Sequence, residues 1–66
     1  MQVKVNGNIS DIPPGQSLAR LLANHDIDPA TVVVELNGRI ITDREFDKEQ
    51  IPESATIEIV HFVGGG

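Results

Sequence analysis

The one reactive group at the end of this sequence is the terminal carboxylate of Gly66, which follows two further glycines, Gly64 and Gly65. Glycine has no Cβ atom, so a run of glycines can pass through an opening too narrow for any side chain. Three residues extend about 10 Å at roughly 3.3 Å each. We therefore interpret Gly64 and Gly65 as a thread that carries the carboxylate of Gly66 into the cleft of another protein. A frayed chain end without function is the alternative interpretation.

The segment before the glycines must position them, and it has the pattern of a strand. Ile57 and Ile59 would point to one face of that strand, and Val60 and Phe62 would point to the other. Apolar residues on both faces are typical of a strand at the centre of a sheet. The pattern therefore predicts that the glycines follow directly on the central strand of the domain.

Val60 and Phe62 are candidates for a partner-docking surface. One helix pattern is clear in the sequence, and a single helix covers only one face of a sheet. We expect Val60 and Phe62 to lie on the uncovered face, beside Arg39 and Ile41. An exposed apolar patch on a small domain often marks a binding surface. The alternative is that Phe62 folds back over the edge of the sheet.

Two Asn-Gly dipeptides predict the hairpins of the sheet. Asn6-Gly7 and Asn37-Gly38 each separate two strand-like segments, and both residue types tolerate the positive φ of a two-residue turn. The segments on either side of these turns supply four strands. The apolar segment before the glycines supplies a fifth.

The helix and the irregular segment after the second hairpin complete the fold prediction. After Ser17, a good N-cap, three leucines have the i, i+3, i+4 spacing of one helix face: Leu18, Leu21 and Leu22. We expect these leucines to pack on the sheet. We also expect Asp43 to cap a short helical turn, and Phe46 to enter the core.

Length and composition exclude several classes of function. The 66 residues allow one domain, residues 1–66. Ten acidic and 5 basic residues give a net charge of −5, which argues against nucleic-acid binding and suits a partner with a basic surface. Without cysteine, the chain has neither a disulfide nor a thiol nucleophile. His25 and His61 are far apart in sequence, so we expect no metal site.

The sequence also carries no sign of a membrane or secretory segment. No apolar run approaches the roughly 20 residues of a membrane span. The first residues already show a strand pattern, so a signal peptide is not expected. These features predict a cytoplasmic protein that makes no contact with a membrane.

Several stretches match a known family. The sequence reads MQVKVNG at residues 1–7, PGQSL at 14–18 and VVVELNGRII at 32–41, and it ends in a glycine pair. Together with the small size, these stretches resemble the ThiS sulfur carriers of thiamine thiazole biosynthesis, within the ubiquitin-like β-grasp family. Two features depart from that pattern: the turn Pro52-Glu53-Ser54, which usually contains glycine in such proteins, and Gly64 before the terminal pair.

The resemblance implies a fold and a division of labour. The fold would be α+β, a mixed sheet of four to five strands with one main helix on one face and a flexible C-terminal tail at 64–66. The chain would be a carrier and not an enzyme, and monomeric when free. It would bind no cofactor, because ATP and Mg²⁺ belong to the activating partner.

The resemblance also implies a reaction at Gly66. An E1-like enzyme of the ThiF type would adenylate the carboxylate of Gly66, and a persulfide donor would supply sulfur to form a thiocarboxylate. A thiazole synthase of the ThiG type would then take the sulfur. Three alternatives stay open: a carrier like the small subunit of molybdopterin synthase, a ubiquitin-like modifier joined to lysines, and a β-grasp interaction module with an incidental glycine tail. The acceptor of the tail distinguishes them.

Overall fold

The computed structural model describes residues 1–62. The predicted thread and sulfur-attachment residues, Gly64, Gly65 and Gly66, lie outside the described residues, as does Val63. The described part contains one α-helix and five strands. The strands are β1 (Gln2–Val5), β2 (Asn8–Asp11), β3 (Val32–Leu36), β4 (Arg39–Ile41) and β5 (Thr56–His61); helix α1 spans Leu18–Asn24, and short 3₁₀ helices span Pro29–Thr31 and Asp43–Glu45.

The five strands form one mixed sheet in the order β2-β1-β5-β3-β4. Strand β5 is parallel to β1 on one side and antiparallel to β3 on the other. The predicted central position of the last strand is therefore confirmed. Ile57 is fully buried and Ile59 is 8% exposed, as the alternation of this strand requires.

Both Asn-Gly turns are confirmed as two-residue hairpins. Asn6 and Gly7 have φ angles of 48° and 83°, and Asn37 and Gly38 have 51° and 84°. Positive φ at both central residues gives a turn whose twist matches the twist of the flanking strands. In the turn before β5, where the resemblance predicted glycine, Ser54 has a φ of 60°. This left-handed conformation favours glycine, because the Cβ atom of any other residue lies too close to the following carbonyl oxygen.

Helix α1 packs on one face of the sheet. The Oγ of Ser17 accepts a hydrogen bond from the backbone N–H of Arg20 at 3.1 Å, which confirms the predicted N-cap. The leucines of the predicted face are almost completely buried in the core. They are Leu18, Leu21 and Leu22, and Phe46 lies beside them at 2% exposed.

The prediction that Asp43 caps the second short helix is wrong by one position. The 3₁₀ helix begins with Asp43 itself, the N-cap position is occupied by Thr42, and no side chain makes a capping hydrogen bond. Asp43 sits in the first turn, where a carboxylate still interacts favourably with the positive end of the backbone dipoles.

The prediction that Ile41 lies on the uncovered face is also wrong. The two-residue turn sets the register of the hairpin so that Ile41 lies opposite Val34. Residues directly opposite each other share a face of the sheet. Because Val34 is fully buried under the helix, Ile41 is buried too, at 4% exposed. Its neighbour Ile40 takes the uncovered face opposite Glu35, and it is 65% exposed.

Arg39 does not contribute to the uncovered face either. It lies opposite Leu36, on the helix side of the sheet. Its Nη2 atom forms an ion pair with Oε2 of Glu49 at 3.2 Å. The guanidinium group therefore reaches toward the segment that follows the second 3₁₀ helix.

Candidate functional site

The uncovered face of the sheet carries an apolar surface at the end where β5 finishes. Val60 lies opposite Val33 in the β5–β3 register, and Ile40 lies diagonally across from Val33 on β4. Val60 is 48% exposed and Phe62 is 49% exposed, whereas Val33 is partly buried. We call these four residues the exit patch: Val33, Ile40, Val60 and Phe62.

A backbone hydrogen bond to Thr31, the residue before β3, holds the chain at Phe62. The backbone N–H of Phe62 donates to the carbonyl oxygen of Thr31 at 3.1 Å, so pairing with the β3 side continues past the end of β5. The Phe62 side chain is half exposed, as expected for a residue on the uncovered face. The predicted exposure of Val60 and Phe62 is therefore confirmed, and their role in docking stays a prediction.

Two carboxylates lie beside the exit patch. Glu58 on β5 is directly opposite Glu35 on β3, and both project from the uncovered face. Like charges directly opposite each other in a sheet are destabilising. A positive group of a partner, placed beside the two carboxylates, would reduce such a repulsion.

Another exposed isoleucine lies far from the exit patch. Ile9 on β2 is 70% exposed and lies opposite Lys4 of β1. Two strands separate β2 from β3 in the sheet. Ile9 is on the same face as the exit patch but at the opposite edge.

Asn6 supports β5 in a way that its sequence pattern does not predict. The pattern indicates only a turn residue, but the Asn6 side chain also contacts the backbone of Ile59. Its Oδ1 accepts from the N–H of Ile59 at 2.7 Å, and its Nδ2 donates to the carbonyl oxygen of Ile59 at 3.4 Å. No local sequence signal identifies this contact, because Asn6 and Ile59 are 53 positions apart.

The two histidines are not part of the exit patch. His25 is the exposed C-cap of α1, and His61 is exposed near the end of β5. Within residues 1–62, no group of three or more histidine, aspartate or glutamate side chains is arranged to hold a metal ion. No helix in that part of the chain is long and apolar enough to cross a membrane.

The distance from the exit patch to the end of the sequence is short. Four residues follow Phe62 in the sequence, ending in Gly66. A fully extended chain of that length spans at most about 14 Å. A protein docked on the exit patch would therefore have Gly66 within reach of a cleft near its own docking surface.

Comparisons with known proteins agree on one family. The model of the ThiS family matches residues 3–66. The sulfur carrier protein ThiS of Bacillus subtilis is 41% identical over 46 residues, which are 70% of this chain and 70% of that protein. A thiazole synthase of Magnetococcus marinus is 32% identical over 66 residues, all of this chain. The chain spans 20% of the length of that protein.

Solved structures confirm the predicted fold. The crystal structure of a thiamine biosynthesis protein (ThiS) from Geobacter metallireducens matches with a TM-score of 0.85 and 30% identity, over 100% of both chains. The solution structure of a thiamine biosynthesis protein from the same organism matches with a TM-score of 0.75 and 29% identity, over 100% of this chain and 88% of that one. The predicted α+β, ubiquitin-like β-grasp fold is thus confirmed, and the chain belongs to the ThiS family.

Proposed function

We propose that this chain is a sulfur carrier of thiamine biosynthesis that delivers the sulfur of the thiazole ring as a thiocarboxylate on Gly66. The observation that carries the proposal is the match to the ThiS family, which extends from residue 3 to residue 66 and so includes all three terminal glycines. The central position of β5 supports it, because the strand before the glycines is held on both sides at its start.

The chemistry at Gly66 follows from the properties of a carboxylate. With a reference pKa of about 3.5, a terminal carboxylate is anionic at neutral pH and a poor electrophile. Transfer of AMP from ATP makes an acyl adenylate and releases pyrophosphate. The terminal sulfur of a persulfide then attacks the acyl carbon and AMP leaves, which gives an acyl disulfide. A second thiol of the partner enzymes would attack the other sulfur of that disulfide, so that the S–S bond breaks, the two partner thiols form a disulfide and the thiocarboxylate on Gly66 is released. The chain supplies the carboxylate, and its partners supply the acid–base groups, the ATP and the Mg²⁺.

Two partners follow from this sequence of reactions. The first is an E1-like adenylating enzyme of the ThiF type, which would act on Gly66 with Gly64 and Gly65 threaded into its cleft. The second is a thiazole synthase of the ThiG type. The Magnetococcus marinus relative supports the second partner, because one polypeptide named thiazole synthase carries a segment similar to the whole of this chain. The setting would be the cytoplasm, with the chain monomeric between encounters.

The exit patch is the docking surface in this proposal. Val60 and Phe62 are about half exposed, and they lie next to the start of the segment that must enter the partner. Glu35 and Glu58 add negative charge beside the apolar residues. A matching partner surface would present apolar side chains with a lysine or arginine opposite the two carboxylates.

Mass spectrometry of the intact chain, purified from its host without added thiols, tests the proposal. Replacement of one carboxylate oxygen by sulfur adds about 16 Da, nearly the same as oxidation of Met1 to the sulfoxide. Fragmentation must therefore place the added mass on Gly66. Because the sequence has no cysteine, a thiol-alkylating reagent provides a second test that Met1 oxidation cannot imitate.

Each outcome of this experiment has a definite meaning. An alkylated product with the added mass on Gly66 establishes a sulfur carrier, and transfer to thiazole synthase then separates it from a molybdopterin-type carrier. A Gly66 joined to lysine side chains of other proteins would show a modifier instead. Unmodified Gly66 in the presence of the adenylating enzyme, ATP and a persulfide donor would contradict the proposal.

A further inference from the structure

Strand β5 is supported unequally along its length. On one side, β3 pairs with it from Ile57 to His61. On the other side, β1 pairs with it only through Lys4 and Val5, at the beginning of β5. Within residues 1–62, no further strand takes over on the β1 side as β5 approaches its C-terminal end.

Asn6 extends the hydrogen bonding on the β1 side of β5 as far as Ile59. Its backbone N–H donates to the carbonyl oxygen of Ile57 at 2.8 Å, which ends the backbone pairing. Its side-chain amide then bonds both the N–H and the carbonyl oxygen of Ile59, at 2.7 and 3.4 Å. An amide side chain has the same donor and acceptor groups as a peptide bond. It therefore replaces the next backbone pairing that β1 is too short to make.

We propose that Asn6 is a positioning residue for the C-terminal glycines. Its amide fixes the path of β5 at Ile59, and so fixes where the chain lies at Phe62, four residues before Gly66. This role rests on the proposed function, in which the carboxylate of Gly66 must reach the α-phosphate of the ATP that a docked adenylating enzyme uses.

The geometry sets the size of the effect. About 10 Å of strand separates Ile59 from Phe62. A rotation of roughly 6° at Ile59 would thus move Phe62 by about 1 Å. A displacement of that size, where it is carried through to the carboxylate of Gly66, can cost up to roughly 100-fold in rate. Without the Asn6 amide, pairing with β3 alone would hold this part of β5, and we expect such a rotation to become accessible.

Asn37 offers a matched control for the turn itself. It occupies the same position of the same turn type, with a φ of 51° against 48° for Asn6. Its Oδ1 also accepts a backbone N–H of β5, that of Thr56 at 2.8 Å. That contact lies at the start of β5, away from the glycines. Glycine suits the positive φ of both positions, so Asn6→Gly and Asn37→Gly each remove one amide without straining the turn.

The experiment combines two measurements on the full chain at a temperature where every variant is folded. Hydrogen exchange reports on the Ile59 amide in the free chain. ATP–pyrophosphate exchange by the adenylating enzyme of the same organism reports on delivery of Gly66. We expect Asn6→Gly to speed exchange at Ile59 about 5- to 30-fold, the effect of losing one or two hydrogen bonds. We also expect it to lower kcat/KM by about 10-fold or more.

Two further variants test whether the effect is specific to the side-chain amide of Asn6. Asn37→Gly should leave Ile59 exchange and kcat/KM at the values of the unsubstituted chain, although it removes a similar bond. Asn6→Asp keeps the acceptor for the N–H of Ile59 and should retain most of the protection and most of the rate.

Two results would overturn the positioning role. One is an Asn6→Gly chain that activates like the unsubstituted chain, and the other is an equal loss of kcat/KM in Asn37→Gly. If the unsubstituted chain supports no pyrophosphate exchange at all, the proposed function itself fails, and the positioning role falls with it. The pyrophosphate assay on the unsubstituted chain therefore separates the two failures.

Discussion

Truncation of Phe62 should weaken docking strongly and folding little. A phenylalanine side chain buries about 150–250 Å² when fully covered. Because Phe62 is 49% exposed, about 100 Å² of that area is available to a partner. At about 25 cal/mol per Å² this area is worth roughly 2.5 kcal/mol on binding. Alanine keeps part of the contact, so we expect Phe62→Ala to cost about 2 kcal/mol, or about 30-fold in Kd.

The assay is titration of the chain into the adenylating enzyme, followed by calorimetry or by fluorescence of a label on the enzyme. Ile9→Ala is the matched control, because Ile9 is 70% exposed on the same face but lies on β2, at the opposite edge of the sheet. It should change Kd by less than about twofold, as expected for a residue outside the interface.

Two results would refute the reasoning about the exit patch. If Phe62→Ala binds as tightly as the unsubstituted chain, the exit patch is not the docking surface. If Ile9→Ala weakens binding equally, binding depends on the hydrophobicity of the whole uncovered face and not on the exit patch in particular. Thermal melts of both variants check that neither has lost its fold.

Three further predictions concern the core, the tail and a strained turn. Leu22 is fully buried, so Leu22→Ala should lower the free energy of unfolding by about 2–5 kcal/mol in urea denaturation; a loss under about 0.5 kcal/mol would mean that the site tolerates the cavity. Gly66→Ala should leave the melting temperature unchanged and abolish the mass gain at residue 66, because a Cβ atom next to the carboxylate obstructs a narrow cleft. Full thiocarboxylation of the variant would disprove the threading hypothesis. Ser54 has a φ of 60°. Ser54→Gly should therefore raise stability by about 0.5–1 kcal/mol, as relief of backbone strain outweighs the extra entropy of the unfolded chain; an unchanged or lower urea midpoint would show that the strain is negligible.

Local patterns were sufficient for the elements of this fold. The Asn-Gly dipeptides specify hairpin turns because few other residue pairs accept positive φ at both positions. The three leucines of α1 specify its buried face because helix periodicity places them on one side. The alternation at Ile57, Ile59 and Val60 specifies a central strand because both of its faces are apolar. Each of these signals depends on residues a few positions apart.

The face of each residue in β4 depends on the register of the hairpin as well as on alternation. The prediction for Ile41 is wrong because the two-residue turn at Asn37-Gly38 sets Ile41 opposite Val34. The residue that replaces it in the exit patch, Ile40, differs by one position along the strand. A shift of one residue changes the face of every side chain in a strand, so alternation without the pairing partner leaves the face undecided.

The amino-acid sequence by itself determined the family, the order of the elements and the candidate attachment residue Gly66, because each rests on local composition or on matching stretches of sequence. Only the tertiary structure decided how the end of β5 is held. Asn6 and Ile59 are 53 positions apart, and their contact depends on β1 and β5 becoming parallel neighbours. No local sequence pattern encodes a contact between residues so far apart in the sequence, because packing of the whole sheet on α1 brings the two residues together.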